Sequence, residues 1–330
     1  MGWWNAVWEQ RADQWTYIPL SAGQTPDEMG HTPVAVDEQY VSVFLRSMRV
    51  THVRQGLRRF YGAVQSHITV PHLSGAKAEF NVITTPATLL DVSPQGLDRV
   101  ITLNRRLLGP IPYRGGDMNV ELGLFSITSV DLTDPFLKLL TTMAEAAGVA
   151  FIAVATPFVR PLLEGVQLLF GAQGPEALEV GMSTTWAPPE TGYYLIIGAQ
   201  RGSIDIETVR VDKNDYAVID ANGQAIGEYP YMLVYVEASD KRDDWFSIPE
   251  LAVSYAALRQ ALLAGETKPI QDAQTVFNHV AQNCLDLIPK DAEQLVRKVD
   301  GIVKPQLTGL AGPRPETIPE LHEIEIYASR

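Results

Sequence analysis

Hydrophobic residues recur at every second position in many short segments between residues 37 and 246. Val41, Val43 and Leu45 show this spacing, which is typical of a strand with one buried face. The pattern predicts strands at 40–50, 60–70, 79–84, 99–103, 119–128, 178–185, 193–199, 207–211, 216–220 and 231–238. Because turn residues separate these segments, we expect residues 37–246 to form an antiparallel, β-sandwich-like body.

A helical pattern interrupts this body at about residues 133–171. Asp134 and Pro135 are typical of a helix start, and the apolar residues that follow recur with a 3.6-residue period up to Gly148. The next segment, 149–154, is apolar on all sides, which is typical of a helix buried against other elements. We therefore predict a helical hairpin inserted between two groups of strands.

Residues 247–304 are predicted to form a small C-terminal helical domain. Ser247 and Glu250 match a capping box at the start of a first helix, and Gly265 is a typical helix end. A second apolar stripe runs from Ile270 to Leu287, and a short third helix is expected at 291–303. Strands followed by helices place the whole chain in the α+β class.

The last residues, 305–330, are predicted to form a proline-rich linker and a terminal strand. Ile324 and Ile326 alternate with charged residues, as they would in an edge strand with one buried face. We expect this strand to bind a partner by adding to its sheet. The alternative is that the strand folds back onto a sheet of this chain.

Four of the six tryptophans lie in an N-terminal arm, residues 1–36: Trp3, Trp4, Trp8 and Trp15. Steps of four and seven residues would align Trp4, Trp8 and Trp15 on one helical face. Tryptophan is also enriched at the centres of protein interfaces. We therefore expect the arm to bind another subunit or a second copy of the chain, with packing on its own core as the alternative.

Composition narrows the class of protein. With 330 residues, 46% hydrophobic and 20% charged, the chain is expected to fold rather than to be disordered. The single cysteine, Cys284, permits no intramolecular disulfide, which suits a reducing cytoplasm. The first residues lack the order of a signal peptide, and the candidate helices lack an uncharged stretch of the ~20 residues that span a bilayer. We therefore expect a cytoplasmic protein without a transmembrane segment.

Basic residues are concentrated in one part of this acidic chain. The net charge is −13, but segment 40–114 holds ten basic and three acidic residues, so that segment is +7 and the rest is −20. Arginine dominates, and its planar guanidinium suits bidentate contacts with carboxylate or phosphate. We expect a docking surface for an anionic partner at Arg46, Arg49, Arg54, Arg58 and Arg59. The alternative is internal pairing with the aspartates between 205 and 244.

No complete catalytic motif occurs in the sequence. Gly-x-Ser-x-Gly, a Walker loop, His-Glu-x-x-His and Cys-x-x-Cys are all absent. His67, His72 and Asp117 would hold a metal or perform acid–base chemistry if neighbouring strands brought them together. Isolated histidines on strands are more often structural, so our main prediction includes neither a metal nor a cofactor.

The densest turn signal is the segment 109–117. It contains Pro110, Pro112, Gly115 and Gly116 beside Arg114, so a rigid loop with exposed amides is one interpretation. Such a loop would bind an anion through the two glycine amides and the guanidinium. The alternative is a purely structural connection between strands.

These observations lead to three hypotheses about function. The first is a non-enzymatic scaffold or adaptor that binds other protein subunits through its arginines and its two termini. The second is a metal-dependent or acid–base hydrolase that uses His67, His72 and Asp117. The third is a module that binds anionic lipid or a nucleotide. We do not expect nucleic acid as the partner, because a net charge of −13 repels polyanions.

Overall fold

The computed structural model describes residues 14–51, 54–55, 58–72, 77–84, 101–128, 178–200, 202–308 and 318–327. The predicted helical hairpin at about 133–171 lies outside the described residues, as do Trp3, Trp4 and Trp8. For Arg54, Arg58 and Arg59 the backbone is described but the side chains are not.

The described strands form two five-stranded antiparallel sheets and a short two-stranded ribbon. The strands are β1 (Thr16–Pro19), β2 (Tyr40–Arg49), β3 (Arg54–Gln55), β4 (Arg58–Pro71), β5 (Lys77–Thr84), β6 (Ile101–Pro112), β7 (Met118–Thr128), β8 (Leu178–Trp186), β9 (Gly192–Ile197), β10 (Arg210–Val211), β11 (Val218–Ile219) and β12 (Tyr231–Ser239). Sheet I has the order β1-β9-β12-β2-β6, and β10 and β11 form the ribbon. In sheet II, β4 pairs with β7, which pairs with β8, while β3 and β5 also pair with β4.

The largest hydrophobic core lies between the two sheets. Val43 and Leu45 from β2 and Val64 and Ile68 from β4 are fully buried in it. Alternation at period two sends these side chains inward, as the sequence pattern predicts. The predicted antiparallel sandwich is therefore confirmed in the described residues.

The outer face of sheet I has a second core of its own. Leu195, Leu233 and Tyr231 lie on this face, and Val211 and Val218 from the two-stranded ribbon pack against it. The segment between β9 and β12 thus covers part of the outer face of sheet I. Tyr193 and Tyr235 of this core also line the candidate site described below.

Three helices form a C-terminal helical unit: α1 (Pro249–Ala264), α2 (Thr267–Gln282) and α3 (Pro289–Leu307). A third core lies among them, with Leu258, Phe277 and Leu295 fully buried. The predicted α+β class is confirmed. No helix in the described ranges is long and apolar enough to cross a membrane.

Helix details differ from the prediction in two respects. The capping box of Ser247 and Glu250 is wrong, because Ser247 belongs to a 3-10 turn and α1 starts with Ile248 as N-cap and Pro249 at its first position. Proline suits that position because its missing amide would have no helical partner. The third helix has 19 residues rather than being short, and it continues through Pro305.

The predicted terminal strand is also wrong in the described residues. Leu321–Glu323 form a 3-10 turn, and Ile324 and Ile326 are 6% and 3% exposed within the core of the helical unit. The alternation of charged and apolar residues correctly indicated one buried side. The buried side faces helices, however, and not a sheet.

Part of the predicted 109–117 loop is a strand. β6 continues to Pro112, and Gly109 has a φ of +91° where an added Cβ would lie 2.3 Å from the carbonyl oxygen of Val41. β6 is an edge strand of sheet I. On its open side there is no neighbouring strand of the sheet in the described part of the chain, so the missing amide of a proline costs no hydrogen bond there. The turn itself is confined to residues after Tyr113.

Candidate functional site

The sheet register aligns a row of large side chains across the outer face of sheet I. Tyr193 of β9 lies opposite Tyr235 of β12, Tyr235 opposite Phe44 of β2, and Phe44 opposite Arg106 of β6. The ring centroids of Tyr193 and Tyr235 are 4.7 Å apart, and those of Phe44 and Tyr235 are 6.3 Å apart. Residues directly opposite in an antiparallel pair have adjacent side chains, so the row is continuous and ends in an arginine. Tyr193 and Tyr235 are buried in the second core, whereas Phe44 is half-buried and Arg106 is exposed.

The guanidinium of Arg46 packs over the rings of this row. Its guanidinium carbon is 4.4 Å from the ring centroid of Tyr235, 5.1 Å from that of Phe44 and 5.5 Å from that of Tyr216. Arg106 lies 5.5 Å from the Phe44 ring in the same way. These are cation–π distances. We call Phe44, Arg46, Arg106, Tyr216 and Tyr235 the aromatic–arginine patch.

The hydrogen bonds of Arg46 leave part of its guanidinium unused. Nη1 donates to the side-chain oxygen of Asn104, whereas the buried Nε has no hydrogen-bond partner in the described structure. An unpaired buried donor is costly, but Nε is buried, so an incoming acceptor would reach this guanidinium only through its amino groups.

Burial keeps the phenols of the row neutral. It is the main reason why the pKa of Tyr235 and of Tyr193 lies above the ordinary value, and Arg46 opposes this shift at both. The nearby carboxylates of Asp27 and Glu237 raise the pKa of Tyr235 further. Neutral rings offer their electron-rich faces to Arg46, so the cluster stays intact over the physiological range of pH.

The patch is bordered by opposite charges on its two sides. Asp27 and Glu237 lie toward β9 and β12, whereas the exposed Arg106 lies on the edge strand β6; Arg105 is opposite Leu45 and belongs to the other face of the strand. Within the described part of the chain, no carboxylate is within ion-pair distance of Arg46, Arg105 or Arg106. The internal pairing that the sequence left open is therefore not formed by these three arginines with described residues.

The five arginines of the predicted docking surface do not lie on one sheet. Arg46 and Arg49 belong to β2 of sheet I, while Arg54, Arg58 and Arg59 belong to β3 and β4 of sheet II. Arg54 is opposite Arg59 in the register. Whether Arg54, Arg58 and Arg59 bind a partner stays a prediction, because their side chains are outside the described part.

Arg49 contributes to the interior. Its charge lowers the pKa of Tyr231, although burial dominates there and raises that pKa to about 12. The Nε of Arg49 is buried and has no hydrogen-bond partner among the described residues. Arg49 is therefore a half-buried neighbour of Tyr231, and whether it also contacts a partner stays a prediction.

Arg114 connects parts of the chain that are far apart in sequence. Nη1 donates to Asp37 at 2.7 Å, and Nη2 donates to the carbonyl of Leu287 at 2.6 Å, with the side chain only 9% exposed. Gly115 and Gly116 have φ of +83° and +81°, and complete the turn before β7. Because both amino groups of Arg114 are used internally, the geometry supports the structural alternative and not anion binding.

The three hydrolase residues are not all brought together, although His72 and Asp117 flank the neighbouring residues Pro71 and Gly116. His67 of β4 lies opposite Glu121 of β7, and Asp117 precedes Glu121 by four residues, or about 13 Å along a strand. His72 follows the end of β4, where Pro71 contacts the turn at Gly116. In the described ranges no three His, Cys, Asp or Glu side chains are grouped to hold a metal. A metal site formed by all three residues is therefore not supported, and acid–base chemistry at His72 and Asp117 stays a prediction.

Both termini pack on this chain where they are described. Trp15 lies half-buried against the core between the sheets, which is the packing that the sequence left open as the alternative; its contact with a partner stays a prediction. Next to it, the indole N–H of Trp186 donates to the hydroxyl of Tyr17 at 3.0 Å. Ile324 and Ile326 are buried in the helical unit, so they offer no surface to a partner strand.

Sequence reasoning found Arg46 but missed its surroundings. Phe44, Tyr235 and Tyr216 come together through pairings between β2, β12 and the segment that follows β10. Only the alternation of Phe44 and Arg46 on one face of β2 was available in the sequence as a signal. A comparison with family models, curated proteins and solved structures finds no match to this chain.

Proposed function

We propose that the chain is a non-enzymatic adaptor subunit that docks an acidic segment of another protein on the aromatic–arginine patch. The observation that carries this proposal is the placement of Arg46 and Arg106 over aromatic rings, with no carboxylate partner among the described residues. Arginine and aromatic residues are the types enriched at interface hot spots.

The border charges give the partner an orientation. Its carboxylates would face Arg106 on β6, while Asp27 and Glu237 would repel a segment bound the other way round. Such a pattern provides specificity and a salt-dependent rate of association more than raw affinity. We also propose a cytoplasmic location, on the ground that the one cysteine, Cys284, is unpaired and buried.

The test uses a fluorescein-labelled octaglutamate peptide as the probe in fluorescence anisotropy. We expect weak binding that decreases with salt, and a loss of about tenfold on Arg106→Glu, because one favourable charge becomes repulsive. Arg297→Glu is the matched control, since Arg297 is exposed on α3 of the helical unit and not on a strand of sheet I.

Equal loss in both variants would show a nonspecific charge effect and would overturn the proposal. Anionic vesicles or ATP that bind the full chain, and bind less to Arg106→Glu, while octaglutamate does not bind at all, would assign the patch to a lipid or a nucleotide instead. Unchanged binding of octaglutamate to Arg106→Glu would place its site elsewhere.

A further inference from the structure

Strand β6 differs in exposure between its two halves. The second half, residues 107–112, is buried. The first half is paired with β2 and yet exposed at nearly every residue: Thr102, Asn104, Arg105 and Arg106. We call residues 102–106 the open half of β6.

The open half presents its main chain to a further strand. β6 is the last strand of sheet I, and among the described strands it pairs with β2 alone. In an antiparallel sheet, alternate amides and carbonyls of an edge strand point away from its only neighbour. A stretch of this length extends over about 17 Å. An exposed edge of this kind is a template on which an extended chain adds by main-chain hydrogen bonds.

Two arginines lie along this edge on opposite faces of the sheet. Arg106 is opposite Phe44 on the outer face, and Arg105 is opposite Leu45, which is buried between the sheets. No described carboxylate lies within ion-pair distance of either guanidinium. A strand added here would alternate its side chains between the same two faces, so consecutive residues of that strand would lie beside different arginines.

We infer that the open half of β6 binds an extended partner segment with consecutive acidic residues, which adds to sheet I as a sixth strand. This inference rests on the proposed function and deepens it, because it states how the acidic segment is held. Main-chain hydrogen bonds to β6 give the affinity, and carboxylates beside Arg105 and Arg106 give the specificity. A segment whose acidic residues alternate with neutral ones matches only one of the two arginines.

A second copy of β6 does not fit the same edge. Two open halves paired around a two-fold axis would place the arginines of one copy beside those of the other, and like charges on adjacent strands destabilise a pair. Asn104 has a φ of +43°, and the pairing of β2 with β6 is irregular between Leu45 and Ser47. Irregularities of this kind twist an edge away from another rigid edge, whereas an unstructured peptide adapts to the twist.

Arg105→Glu separates this inference from docking on the outer face alone. The probe is fluorescein-labelled octaglutamate, added to the full chain and followed by fluorescence anisotropy. We expect Arg105→Glu and Arg106→Glu each to weaken binding about tenfold, and Arg297→Glu on α3 to leave it unchanged. Loss in Arg106→Glu alone would overturn strand addition and leave the proposed function standing. A wild type that does not bind octaglutamate would contradict both.

A second peptide tests the main-chain hydrogen bonds on the wild-type chain, so its result does not depend on the folding of a variant. Octaglutamate with its four central amides N-methylated keeps every carboxylate, but these amides no longer donate. We expect it to bind at least about tenfold more weakly than octaglutamate. Equal binding of the two peptides would show docking through charge alone and would overturn the inference.

Hydrogen exchange locates the added strand. The amides of residues 102–106 that point away from β2 should exchange fast in the wild type and slowly when octaglutamate is present. Protection of these amides without the peptide would show that the chain covers its own edge. That result, or exchange that stays fast with octaglutamate bound, would overturn the inference.

Discussion

Asp291 accepts hydrogen bonds from two tyrosines that come from opposite parts of the chain. Tyr40 of β2 donates to its Oδ2 at 2.7 Å, and Tyr327 of the C-terminal segment donates to the same oxygen at 2.5 Å. Asp291 is fully buried, and its burial raises the pKa of the carboxyl above the ordinary value, although both tyrosine hydrogen bonds act against this. Burial therefore disfavours the charged carboxylate of Asp291, whereas the hydrogen bonds from the two tyrosines stabilise it.

This conflict predicts a dependence of stability on pH. Because the folded-state pKa of Asp291 is raised, its contribution to stability is present below the unfolded value of about 3.9 and is lost as pH rises through the folded value. In Asp291→Asn the titrating group is absent. We expect wild type to lose stability relative to this variant as pH rises from about 4, by at most ~1.4 kcal/mol per pH unit.

Urea unfolding at a series of pH values measures this difference. Asp272→Asn, at an exposed position of α2, serves as the control for the general effect of removing one negative charge. If the difference between wild type and Asp291→Asn has the same pH trend as the Asp272 control, the buried carboxyl is not its source.

At the scale of elements, alternation of apolar residues predicted most strands. A strand with one buried face shows this period of two whatever element packs on that face. β2, β4, β7 and β12 follow the predicted segments closely. β6 did not, since glycine and proline at 109–112 are typical of turns, and only its position at a sheet edge permits them in a strand. The prediction of a strand in the tail was wrong because Ile324 and Ile326 alternate with charged residues, as in a strand, but pack on helices.

The tail should therefore contribute to stability. Tyr255 donates to the carbonyl of Pro319 at 2.9 Å, and Arg259 pairs with Glu320 at 2.9 Å, so the tail is fixed along α1. We expect Ile324→Ala to lower the free energy of unfolding by about 2–4 kcal/mol, because a 6%-exposed side chain leaves a cavity. Denaturant unfolding measures the loss.

Val276→Ala is the matched control for this prediction, because its side chain is 58% exposed. Its effect should stay within about 0.5 kcal/mol. An effect of Ile324→Ala no larger than that of the control would mean that the tail is not held in the core, and would return it to the surface as a candidate binding strand.

At the scale of the whole molecule, the pairing of strands that are distant in sequence limits how much of the candidate site can be predicted from the sequence. The aromatic–arginine patch needs the registers of β12 on β2 and of β2 on β6, and the second of these contains several irregularities. A one-residue slip would move Phe44 and Arg46 to the other face. Residue type therefore predicted an arginine surface, whereas its location and its aromatic partners depend on pairings that no local pattern specifies.

The same long-range contacts join the helical unit to the two sheets. Tyr40 accepts a hydrogen bond from the amide of Ile288 at 3.1 Å and donates to Asp291. Arg114 donates to Leu287, and Leu285 packs half-buried on the core between the sheets. These ties are all made to residues between α2 and the first turn of α3, so a few side chains hold the junction.

Removing two of these ties should uncouple the helical unit from the sheets. In wild type we expect a single thermal transition, because the ties make the unfolding of one part expose buried groups of the other. In the double variant Tyr40→Phe/Arg114→Met, each lost hydrogen bond costs about 1 kcal/mol or more at the junction. The helical unit should then unfold separately. Far-ultraviolet circular dichroism at 222 nm, which is dominated by the helices, and the near-ultraviolet tyrosine signal, to which only Tyr255 and Tyr327 of the helical unit contribute among the described tyrosines, should no longer coincide. Arg259→Met removes a tie inside the helical unit and should lower its stability without separating the transitions. Coincident transitions in the double variant would show that apolar packing around Leu285, rather than the polar ties, joins the two parts.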